Sequence, residues 1–323
     1  MQKYIAAFDG GGTKTACIIA SIAGEICFYE EGDGTNHTSN LTWNFTILDL
    51  LNKGLKQNNL IINDICFIYL GLSGADLESD FSKLNQGLRE VFPDTPFKVV
   101  NDAWIIMRSG LKEAHGAVAI CGTGTNAAAQ NKMGDRYILR SLGYSLGTYG
   151  GGLDIARECL HQAFGYDEGT YSQTLLYDEI PKLFGVNSLA EVVDFFYPKY
   201  KANKHVLGSI TRLANELAIK GDQASIFAIE KAAKSVAWQT AGVIEKVNMQ
   251  FEEVNVVVGG GVFKKSKAPV FFDTFKLELR KRVPFAKIIK PLFPPVVGAF
   301  YAGLDELKIT QTKEIEDNVL NTI

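Results

Sequence analysis

Apolar runs alternate with short polar or glycine-rich stretches along the first half of the chain, and this pattern predicts strands and helices in turn. The runs at residues 5–8 and 16–22 flank Asp9 and three consecutive glycines, so they predict two antiparallel strands joined by a tight turn. The rest of this half predicts strands at residues 26–30, 65–75 and 97–100 and helices at residues 43–54, 77–91 and 104–111.

The second half begins with a predicted strand at residues 117–120, followed by a glycine-rich connection at residues 137–152. A mainly helical region is predicted from residue 153 to about residue 250. The segment VNVVVGGGVF then predicts a buried strand that ends in three glycines, and a further helix and strand precede PPVVGAFYAGLDEL. The charged tail from Lys308 onward has no pattern that assigns a structure. Strands that alternate with helices predict the α/β class.

The two halves share a short repeat. The segments AFDGGGTKTA, residues 7–16, and AICGTGTNAA, residues 119–128, each follow an apolar run. Their alignment pairs Gly10 with Gly122, Gly12 with Gly124 and Thr13 with Thr125. We expect two related halves with equivalent hairpin tips, which could hold one polyphosphate from both sides. The alternative is a chance match in a chain that contains 31 glycines.

The glycines after Asp9 match neither of two common phosphate motifs. A P-loop needs Lys and Ser or Thr after its second glycine, and the dinucleotide motif needs a third glycine and a following helix. A bare glycine tip can still bind a polyphosphate through backbone N–H groups, helped by Thr13, Thr15 and Lys14. Asp9 would then require a divalent cation or water between its carboxylate and the anion. The alternative is a glycine-rich hairpin with an exposed Asp9.

The segment KVVNDAW places Asn101 and Asp102 where a predicted strand ends and a helix begins, which is a common position for catalytic groups in α/β folds. The alternative is that one of the two residues caps the helix. No convincing Ser/His or Cys/His catalytic set accompanies them. Phosphoryl transfer to an alcohol needs bound phosphates, charge neutralisation and a carboxylate base. The two tips, Mg²⁺ at Asp9 and Asp102 would supply these parts.

Length and composition restrict the function further. A chain of 323 residues predicts two domains, and no apolar run approaches the ~20 residues needed to cross a bilayer. A net charge of −3 without a Lys/Arg run argues against a nucleic-acid surface, which favours a small-molecule ligand. We expect a soluble cytoplasmic protein without an export signal. Its scattered cysteines, without a Cys-x-x-Cys pair, are expected to be buried and reduced: Cys17, Cys27, Cys66, Cys121 and Cys159.

The motifs DGGGTKT, NDA, GTGTNA and VVVGGGVF, in this order, resemble the phosphate-1, catalytic, phosphate-2 and adenosine elements of the sugar kinase, Hsp70 and actin superfamily. Within it the chain is similar to N-acetylglucosamine kinases and the BadF/BadG/BcrA/BcrD ATPase group, over residues 3–305. The resemblance implies an α/β fold with two ribonuclease H-like (actin-like ATPase) domains that flank a nucleotide and substrate cleft. The expected domains are residues 1–114, joined by a C-terminal helix near 296–308, and residues 115–295 with a helical insertion.

The resemblance also implies roles for individual residues. Asp102 matches the general base, and Asp9 matches the acid that places Mg²⁺, directly or through water. The ATP-binding positions are expected to be Gly10, Gly11, Gly12, Thr13 and Lys14 in the first phosphate loop, Gly122, Thr123, Gly124 and Thr125 in the second, and Gly259, Gly260 and Gly261 at the adenosine. The expected sugar-binding positions are Asn36, His37, Ser73, Asn126, Gly143, Tyr144 and Thr148, with Thr123 near them. For His37, a structural role in a turn is an equal alternative.

One segment departs from the family pattern. Related sugar kinases carry Gly-Asp-Glu-Gly where this chain has GYSLGTYGGG, so Thr148 and Tyr149 replace both acids. A carboxylate accepts two hydroxyl hydrogen bonds with the assistance of its charge, whereas threonine cannot, so sugar affinity or identity is expected to differ. Asp154, six residues further along, is a candidate substitute.

Three functions therefore stand side by side. The first is a cytoplasmic kinase of an amino sugar or related hexose that uses ATP and Mg²⁺, with a homodimer expected by family analogy. The second is a BadF-type ATPase that drives a partner protein, although Cys121 and Cys159 form no recognisable iron–sulfur motif. The third is a sugar or nucleotide sensor without catalysis, suggested by the replaced acids. No zinc motif is present, so no structural metal is expected.

Overall fold

Two five-stranded sheets organise the chain, of which the computed structural model describes residues 2–198 and 204–323. The strands of the first sheet are β1 (Tyr4–Gly10), β2 (Lys14–Ser21), β3 (Ile26–Asp33), β4 (Ile65–Leu72) and β5 (Phe97–Asn101). They lie in the order β3-β2-β1-β4-β5, with β1 antiparallel to β2 and parallel to β4. The glycine turn after Asp9 therefore joins two antiparallel strands, which confirms the predicted hairpin.

Helices form most of the longer connections between strands. The first three are α1 (Trp43–Gln57), α2 (Glu78–Val91) and α3 (Asp102–Arg108). The second sheet has the order β10-β9-β6-β7-β8 and contains β6 (Gly116–Cys121), β7 (Thr125–Gln130), β8 (Arg136–Ile138), β9 (Val254–Gly259) and β10 (Ala286–Ile289). The remaining helices are α4 (Gly152–Asp167), α5 (Leu176–Phe184), α6 (Leu189–Val192), α7 (Lys204–Ile219), α8 (Gln223–Lys246), α9 (Gly261–Lys265), α10 (Val270–Arg282), α11 (Pro295–Glu306) and α12 (Lys313–Thr322).

Apolar clusters cover both faces of the first sheet. Ala6 and Phe8 of β1 belong to a cluster with buried residues of α1 and α2. Ile5 and Ala7 belong to a second cluster, which includes buried residues of α11 and α12. Because successive strand residues point to opposite faces, a strand covered on both sides needs a continuous apolar run. This requirement explains why the first strand of the chain shows no polar alternation.

The chain divides into two compact units. The first unit contains Met1–Val118, Lys132–Gly134 and Ile289–Ile323, and the second contains Ala119–Asn131 and Asp135–Ile288. The helices α11 and α12 thus return to the first unit, where α11 packs against α3 and β1. The helical region predicted from residue 153 corresponds to α4–α8, and residues 199–203 of that prediction lie outside the described residues.

The structure shifts the helix predicted at residues 104–111, which ends at Arg108, and adds a helix in the tail. Helix α3 begins at Asp102, two residues before the prediction, because the Asn101 side chain accepts a hydrogen bond from the Ala103 N–H and caps the helix. The tail, which had no assigned structure, contains α12, capped by Thr312. Only Ile315 and Val319 of this helix are buried, so its apolar stripe is too narrow to produce a clear helical pattern.

Two expectations from composition have different outcomes. All five cysteines are free, and Cys17, Cys121 and Cys159 are buried as predicted. The prediction is wrong for Cys27, which is exposed on β3, and Cys66 is only partly buried. Edge position explains the difference for Cys27, because β3 is the outermost strand of its sheet. Among the described residues, no helix combines the length and the apolar character that a bilayer crossing requires.

Candidate active site

The first glycine tip connects β1 to β2 in the first unit. Its turn is closed by a hydrogen bond of 2.9 Å from the Gly11 N–H to the Lys14 carbonyl oxygen. A Cβ added at Gly10 would lie 2.3 Å from Thr35 Oγ1, so packing requires glycine there. At the exposed Gly12, in contrast, an added Cβ would meet nothing within 4 Å. The tip therefore combines a tightly packed base with an open backbone edge, which suits close approach of an anion.

The polar side chains of this tip have divergent environments. Thr13 is exposed, and the exposed Lys14 forms an ion pair with Glu31, with 2.6 Å between Nζ and Oε1. Thr15 is fully buried, and its hydroxyl lies 2.8 Å from Thr35 Oγ1. The expectation that the Thr15 hydroxyl contacts phosphate is therefore wrong, because the side chain is enclosed in the core. Lys14 stays a candidate only if it leaves Glu31 when an anion binds.

Two of the predicted acceptor-binding positions, Asn36 and Ser73, are joined by a hydrogen bond. Asn36 Oδ1 accepts hydrogen bonds from the Thr38 N–H at 2.9 Å and its hydroxyl at 2.6 Å. Asn36 Nδ2 donates to Ser73 Oγ at 3.4 Å. Gly74 has φ +84°, and a Cβ there would lie 2.8 Å from Asn36 Nδ2. The structure thus brings Asn36 and Ser73 together, with the amide orientation of Asn36 fixed by Thr38.

His37 fits the structural alternative. Its Nε2 lies 3.1 Å from Asp80 Oδ1, and its side chain is only 6% exposed. Its Nδ1 is buried and has no hydrogen-bond partner. Burial opposes ionisation of Asp80, but hydrogen bonds from the Leu77 N–H and His37 hold the pKa of Asp80 below its usual value. The pair ties the segment after Asn36 to the start of α2.

Asp102 does not cap helix α3. Asn101 supplies the cap, as its Oδ1 accepts from the Ala103 N–H at 2.9 Å, and Asp102 is the first residue of α3. Two glycines allow α3 to pack closely. A Cβ at Gly71 of β4 would lie 2.4 Å from Ile105 Cδ1, and one at Gly298 of α11 would lie 1.9 Å from the Ile105 carbonyl oxygen. These contacts fix Asp102 at the carboxyl end of β5.

The electrostatics of Asp102 suit a proton acceptor. Burial raises its pKa to about 7, and the negative charges of Asp9 and Asp76 add to the effect. Asp9 is half-buried and lies near the end of β1, opposite Ala16 of β2 in the antiparallel register. Burial also raises the pKa of Asp76 to about 6, with a contribution from the charge of Asp80. A carboxyl group that titrates near neutral pH can take a proton from a substrate hydroxyl.

The second glycine tip connects β6 to β7 in the second unit and differs from the first in detail. The Gly122 N–H donates to the Gly124 carbonyl oxygen at 2.9 Å, and the Thr125 hydroxyl donates to the Ile120 carbonyl oxygen at 2.8 Å. Thr125 and Asn126 are buried, whereas Thr13 of the first tip is exposed. The sequence repeat thus produces two glycine turns with different hydrogen bonds.

The start of α4 supports this second tip. The Gly152 N–H donates to the Gly122 carbonyl oxygen at 2.8 Å, and the Leu153 N–H donates to the Thr123 carbonyl oxygen at 3.1 Å. A Cβ at Gly151 would lie 2.5 Å from the Gly124 Cα, so only glycine allows this approach. The tip carbonyls are therefore held by α4.

The predicted adenosine loop lies at the end of β9. Gly259 is the last residue of this strand, Gly260 has φ +91°, and Gly261 begins α9. A Cβ at Gly260 would lie 2.4 Å from the Cys121 carbonyl oxygen, next to the second tip. At Gly261, an added Cβ would meet nothing within 4 Å. The loop therefore needs glycine at 260 for its conformation and leaves open space at 261.

A cavity of about 580 Å³ lies in the second unit beside this loop. It brings together three predicted ATP-binding residues, Gly122, Thr123 and Gly261. No motif in the sequence identifies the rest of the lining, which comprises Gly152, Leu153, Gly208, Thr211, Arg212, Asn215, Glu216, Val262, Lys265, Ser266 and Lys267. Five of these residues recur at positions 208, 211, 212, 215 and 216, one face of α7. This spacing was the available signal, but an ordinary solvated helix face has the same pattern.

The segment that departs from the family pattern forms a closed loop. Thr148 Oγ1 accepts from the Gly143 N–H at 2.8 Å and donates to the Gly143 carbonyl oxygen at 3.1 Å. Tyr144 is 76% exposed, and its ring stands edge-on to that of Tyr149. Asp154, the candidate substitute acid, accepts from the Gly150 and Gly151 N–H groups and pairs with Arg157. Its carboxylate is therefore committed to the start of α4.

Comparison with solved structures defines the class of fold. A provisionally named N-acetylglucosamine kinase from Chromobacterium violaceum superposes with a TM-score of 0.68 at 18% identity, over 92% of this chain and 98% of its own. A ROK family glucokinase from Streptomyces griseus, crystallised with glucose and AMPPNP, gives 0.56 at 15% identity, over 93% and 98%. The chain thus has the α/β fold of the actin-like ATPase sugar kinases, as predicted.

The sequence places the chain within a family. A profile of the BadF/BadG/BcrA/BcrD ATPase family matches residues 8–303, and the chain belongs to this family. An N-acetylmuramic acid/N-acetylglucosamine kinase from Clostridium acetobutylicum is 26% identical over 307 residues, which cover 94% of this chain and 99% of that protein. An N-acetyl-D-glucosamine kinase from Dictyostelium discoideum is 24% identical over 325 residues, with 95% and 99% coverage.

Proposed function

We propose that this protein is an ATP-dependent kinase that phosphorylates a hydroxyl group of N-acetylglucosamine or a related amino sugar. The observation that carries the proposal is the position and pKa of Asp102. It lies at the end of β5, Asn101 caps the helix in its place, and burial raises its pKa to about 7. The full-length relatives named N-acetylglucosamine kinases support the choice of an amino sugar.

The second unit provides the features that a nucleotide requires. The cavity of about 580 Å³ is large enough for a small-molecule ligand and reaches the glycine tip at Gly122 and Thr123. Backbone N–H groups of such a tip bind phosphate oxygens, because glycine leaves them accessible. Gly261 leaves open space in the same cavity for the adenosine. We therefore assign ATP to this cavity, with its phosphates at the tip.

The first unit provides the features that the acceptor requires. Asn36 and Ser73 present a linked amide and hydroxyl that can orient sugar hydroxyl groups. Asp102 removes the proton from the acceptor hydroxyl while its oxygen forms a bond to the γ-phosphorus. The bond from the γ-phosphorus to the bridging oxygen breaks, and ADP leaves with the electron pair. The products are ADP, the sugar phosphate and one proton.

Asp9 of the first unit fits the role of a carboxylate that holds Mg²⁺ through a water molecule. Mg²⁺ usually keeps several waters and binds through one or two carboxylates together with substrate phosphates. Within residues 2–198 and 204–323, no group of three or more His, Cys, Asp or Glu side chains forms a metal cage. The half-buried Asp9 is the second-last residue of β1, the strand that leads into the first tip. When bound, Mg²⁺ would neutralise phosphate charge.

One observation favours a second candidate function. Thr148 and Tyr149 replace two acids of related kinases, and the Thr148 hydroxyl is committed to Gly143. A protein with a weakened acceptor site would bind ATP or sugar without turnover and act as a sensor. Hydrolysis of ATP without an acceptor, as the name of the family suggests, is the remaining alternative. The homodimer, the cytoplasmic location and the domain boundaries stay predictions.

The test is an assay of ADP release with purified protein, ATP, Mg²⁺ and a panel of acceptors that includes N-acetylglucosamine, N-acetylmuramic acid and glucose. We expect release that depends strictly on an amino sugar, with a phosphate monoester formed on the sugar. Equal release without any acceptor would contradict the kinase and support an ATPase. Measurable ATP binding without release, for every acceptor, would support the sensor.

A further inference from the structure

A chain of hydrogen bonds with a fixed direction crosses the wall of the cavity in the second unit. Asn215 of α7 donates from Nδ2 to the Thr211 carbonyl oxygen at 2.9 Å. Its Oδ1 accepts a hydrogen bond from the hydroxyl of Ser266. Asn215 is 9% exposed, Ser266 is half-buried, and all three residues line the cavity.

The Thr211 carbonyl oxygen determines the direction of these hydrogen bonds. A carbonyl oxygen can only accept, so the Asn215 amide must turn its NH₂ group toward Thr211 and its oxygen toward Ser266. That oxygen can only accept as well, so the single hydroxyl proton of Ser266 is used for Asn215. Ser266 Oγ therefore offers only its lone pairs to a ligand in the cavity. Its preferred partner is an N–H donor, and a carbonyl oxygen at the same place would face another acceptor.

These hydrogen bonds also lie in the part of the cavity where we expect the nucleotide base. From the phosphate tip, Gly122 bonds to Gly152, and the Gly152 carbonyl oxygen accepts from the Thr211 hydroxyl at 2.6 Å. Asn215 stands four residues further along α7, about 6 Å along the helix axis. Hydrogen bonds of Gly152, Thr211 and Asn215 thus link the tip to Ser266 along the cavity wall. Because Gly261, the expected adenosine position, and Ser266 line the same cavity as Gly122, we expect a nucleotide with its phosphates at Gly122 to bring its base near Ser266.

We propose that Ser266 Oγ accepts a hydrogen bond from the 6-amino group of adenine, and that Asn215 is the positioning residue that holds the Ser266 hydroxyl in this orientation. The proposal rests on the assignment of ATP to this cavity. Purines with an oxygen at position 6 present an acceptor and are rejected. Arg212 and Lys265 also line the cavity, but both are exposed, and Arg212 donates to Ser209 Oγ at 2.6 Å.

The test compares ATP with ITP, which carries oxygen in place of the 6-amino group. For the wild type, we expect kcat/KM to be at least tenfold higher with ATP. Ser266→Ala should lower this preference by about tenfold through the KM for ATP, as expected for one hydrogen bond to a nucleotide. Ser266→Thr retains a hydroxyl and should restore the preference. Ser172→Ala, at an exposed serine of the same unit, is the matched control and should change nothing.

Asn215→Ala separates positioning from structure. Without the Asn215 oxygen, the Ser266 hydroxyl can rotate and donate to the 6-oxygen, so kcat/KM with ITP should rise while that with ATP falls. A merely structural role would lower both values equally, and that result would overturn the proposal. The melting temperature of each variant, measured in parallel, reports its folding.

Binding measurements distinguish failure of this inference from failure of the proposed function. Isothermal titration of the full-length protein with ADP and IDP reports base preference without any turnover. Tight ADP binding with equal affinity for IDP would overturn the role of Ser266 and leave the kinase intact. A clear preference for ADP that Ser266→Ala abolishes would support the inference, even if no sugar were phosphorylated. No binding of either nucleotide would overturn both assignments.

Discussion

The side-chain amide of Asn101 donates to the carboxylate of Asp76 across 2.8 Å. The same side chain caps α3, so one residue both starts the helix that carries Asp102 and holds a second carboxylate near it. The charge of Asp76 contributes to the raised pKa of Asp102. The position of the candidate base and its proton affinity are therefore linked through Asn101.

Asp102→Asn removes the candidate base and retains the size of the side chain. We expect kcat to fall by about 10²- to 10⁴-fold, the usual contribution of general base catalysis, with ADP affinity unchanged. Steady-state kinetics and ADP titration would measure both effects. Asp49→Asn, at an exposed acid of α1, is the control. Turnover near that of the wild type would remove Asp102 from the mechanism.

The pH dependence of kcat/KM should report the titration of Asp102. Because the base must be deprotonated, kcat/KM is expected to rise with pH through about 7. Asp76→Asn removes a negative charge that raises the pKa of Asp102, so the rising limb should move to lower pH. An unchanged profile in this variant would show that Asp76 does not act on the titrating group.

The free energy of unfolding should decrease as the pH rises, whereas kcat/KM should increase. The pKa of Asp102 lies at about 7 in the folded protein, above its usual value of 3.8. Between these values the folded state binds more protons than the unfolded state, so stability falls as the pH rises. Asp102→Asn lacks this titration and should therefore melt at a higher temperature than the wild type at pH 8. The difference should shrink at pH 5, and scanning calorimetry at both values measures it.

Gly260 and Gly261 offer a paired test of the adenosine loop. Gly260→Ala forces a side chain into a position with φ +91° and a Cβ 2.4 Å from the Cys121 carbonyl oxygen, so we expect a loss of about 1–3 kcal/mol in stability. Gly261→Ala meets no protein atom within 4 Å and should leave stability unchanged while it weakens ADP binding. Equal effects of both variants on stability and binding would contradict the separate roles.

Thr148 tests the loop that departs from the family pattern. Thr148→Val removes the hydroxyl that bonds to Gly143, so the loop should loosen and the KM for the sugar should rise about three- to tenfold. Nucleotide affinity should not change. Thr148→Ser retains the hydroxyl and serves as the control. A sugar KM that is unaffected in Thr148→Val would exclude this loop from acceptor binding.

Most of the fold could be predicted because its signals are local. The apolar run of β1, the glycines after Asp9 and the second glycine segment are all visible in short windows of sequence. The helix α12 could not be predicted, because only Ile315 and Val319 make its buried face. Cys27 was placed wrongly because burial depends on which strand lies at the edge of the sheet.

The candidate site also contains some residues that the sequence could predict and others that it could not. Asp102, Gly122 and Gly261 stand in recognisable motifs, so the sequence could nominate them. Asn215 and Ser266 are 51 residues apart and follow no motif, and only the approach of α7 to the end of α9 joins them in one cavity. Local patterns carry no information about which side chain satisfies which partner across such a distance.

The sequence by itself determined the α/β class, the two glycine turns and the acid at the end of β5, because strand periodicity and glycine conformations are properties of neighbouring residues. Tertiary structure alone decided that Thr15 is enclosed against Thr35, that Asn101 donates to Asp76, and that Ser266 donates to Asn215. These outcomes depend on hydrogen-bond partners and burial, which arise only when distant segments pack together.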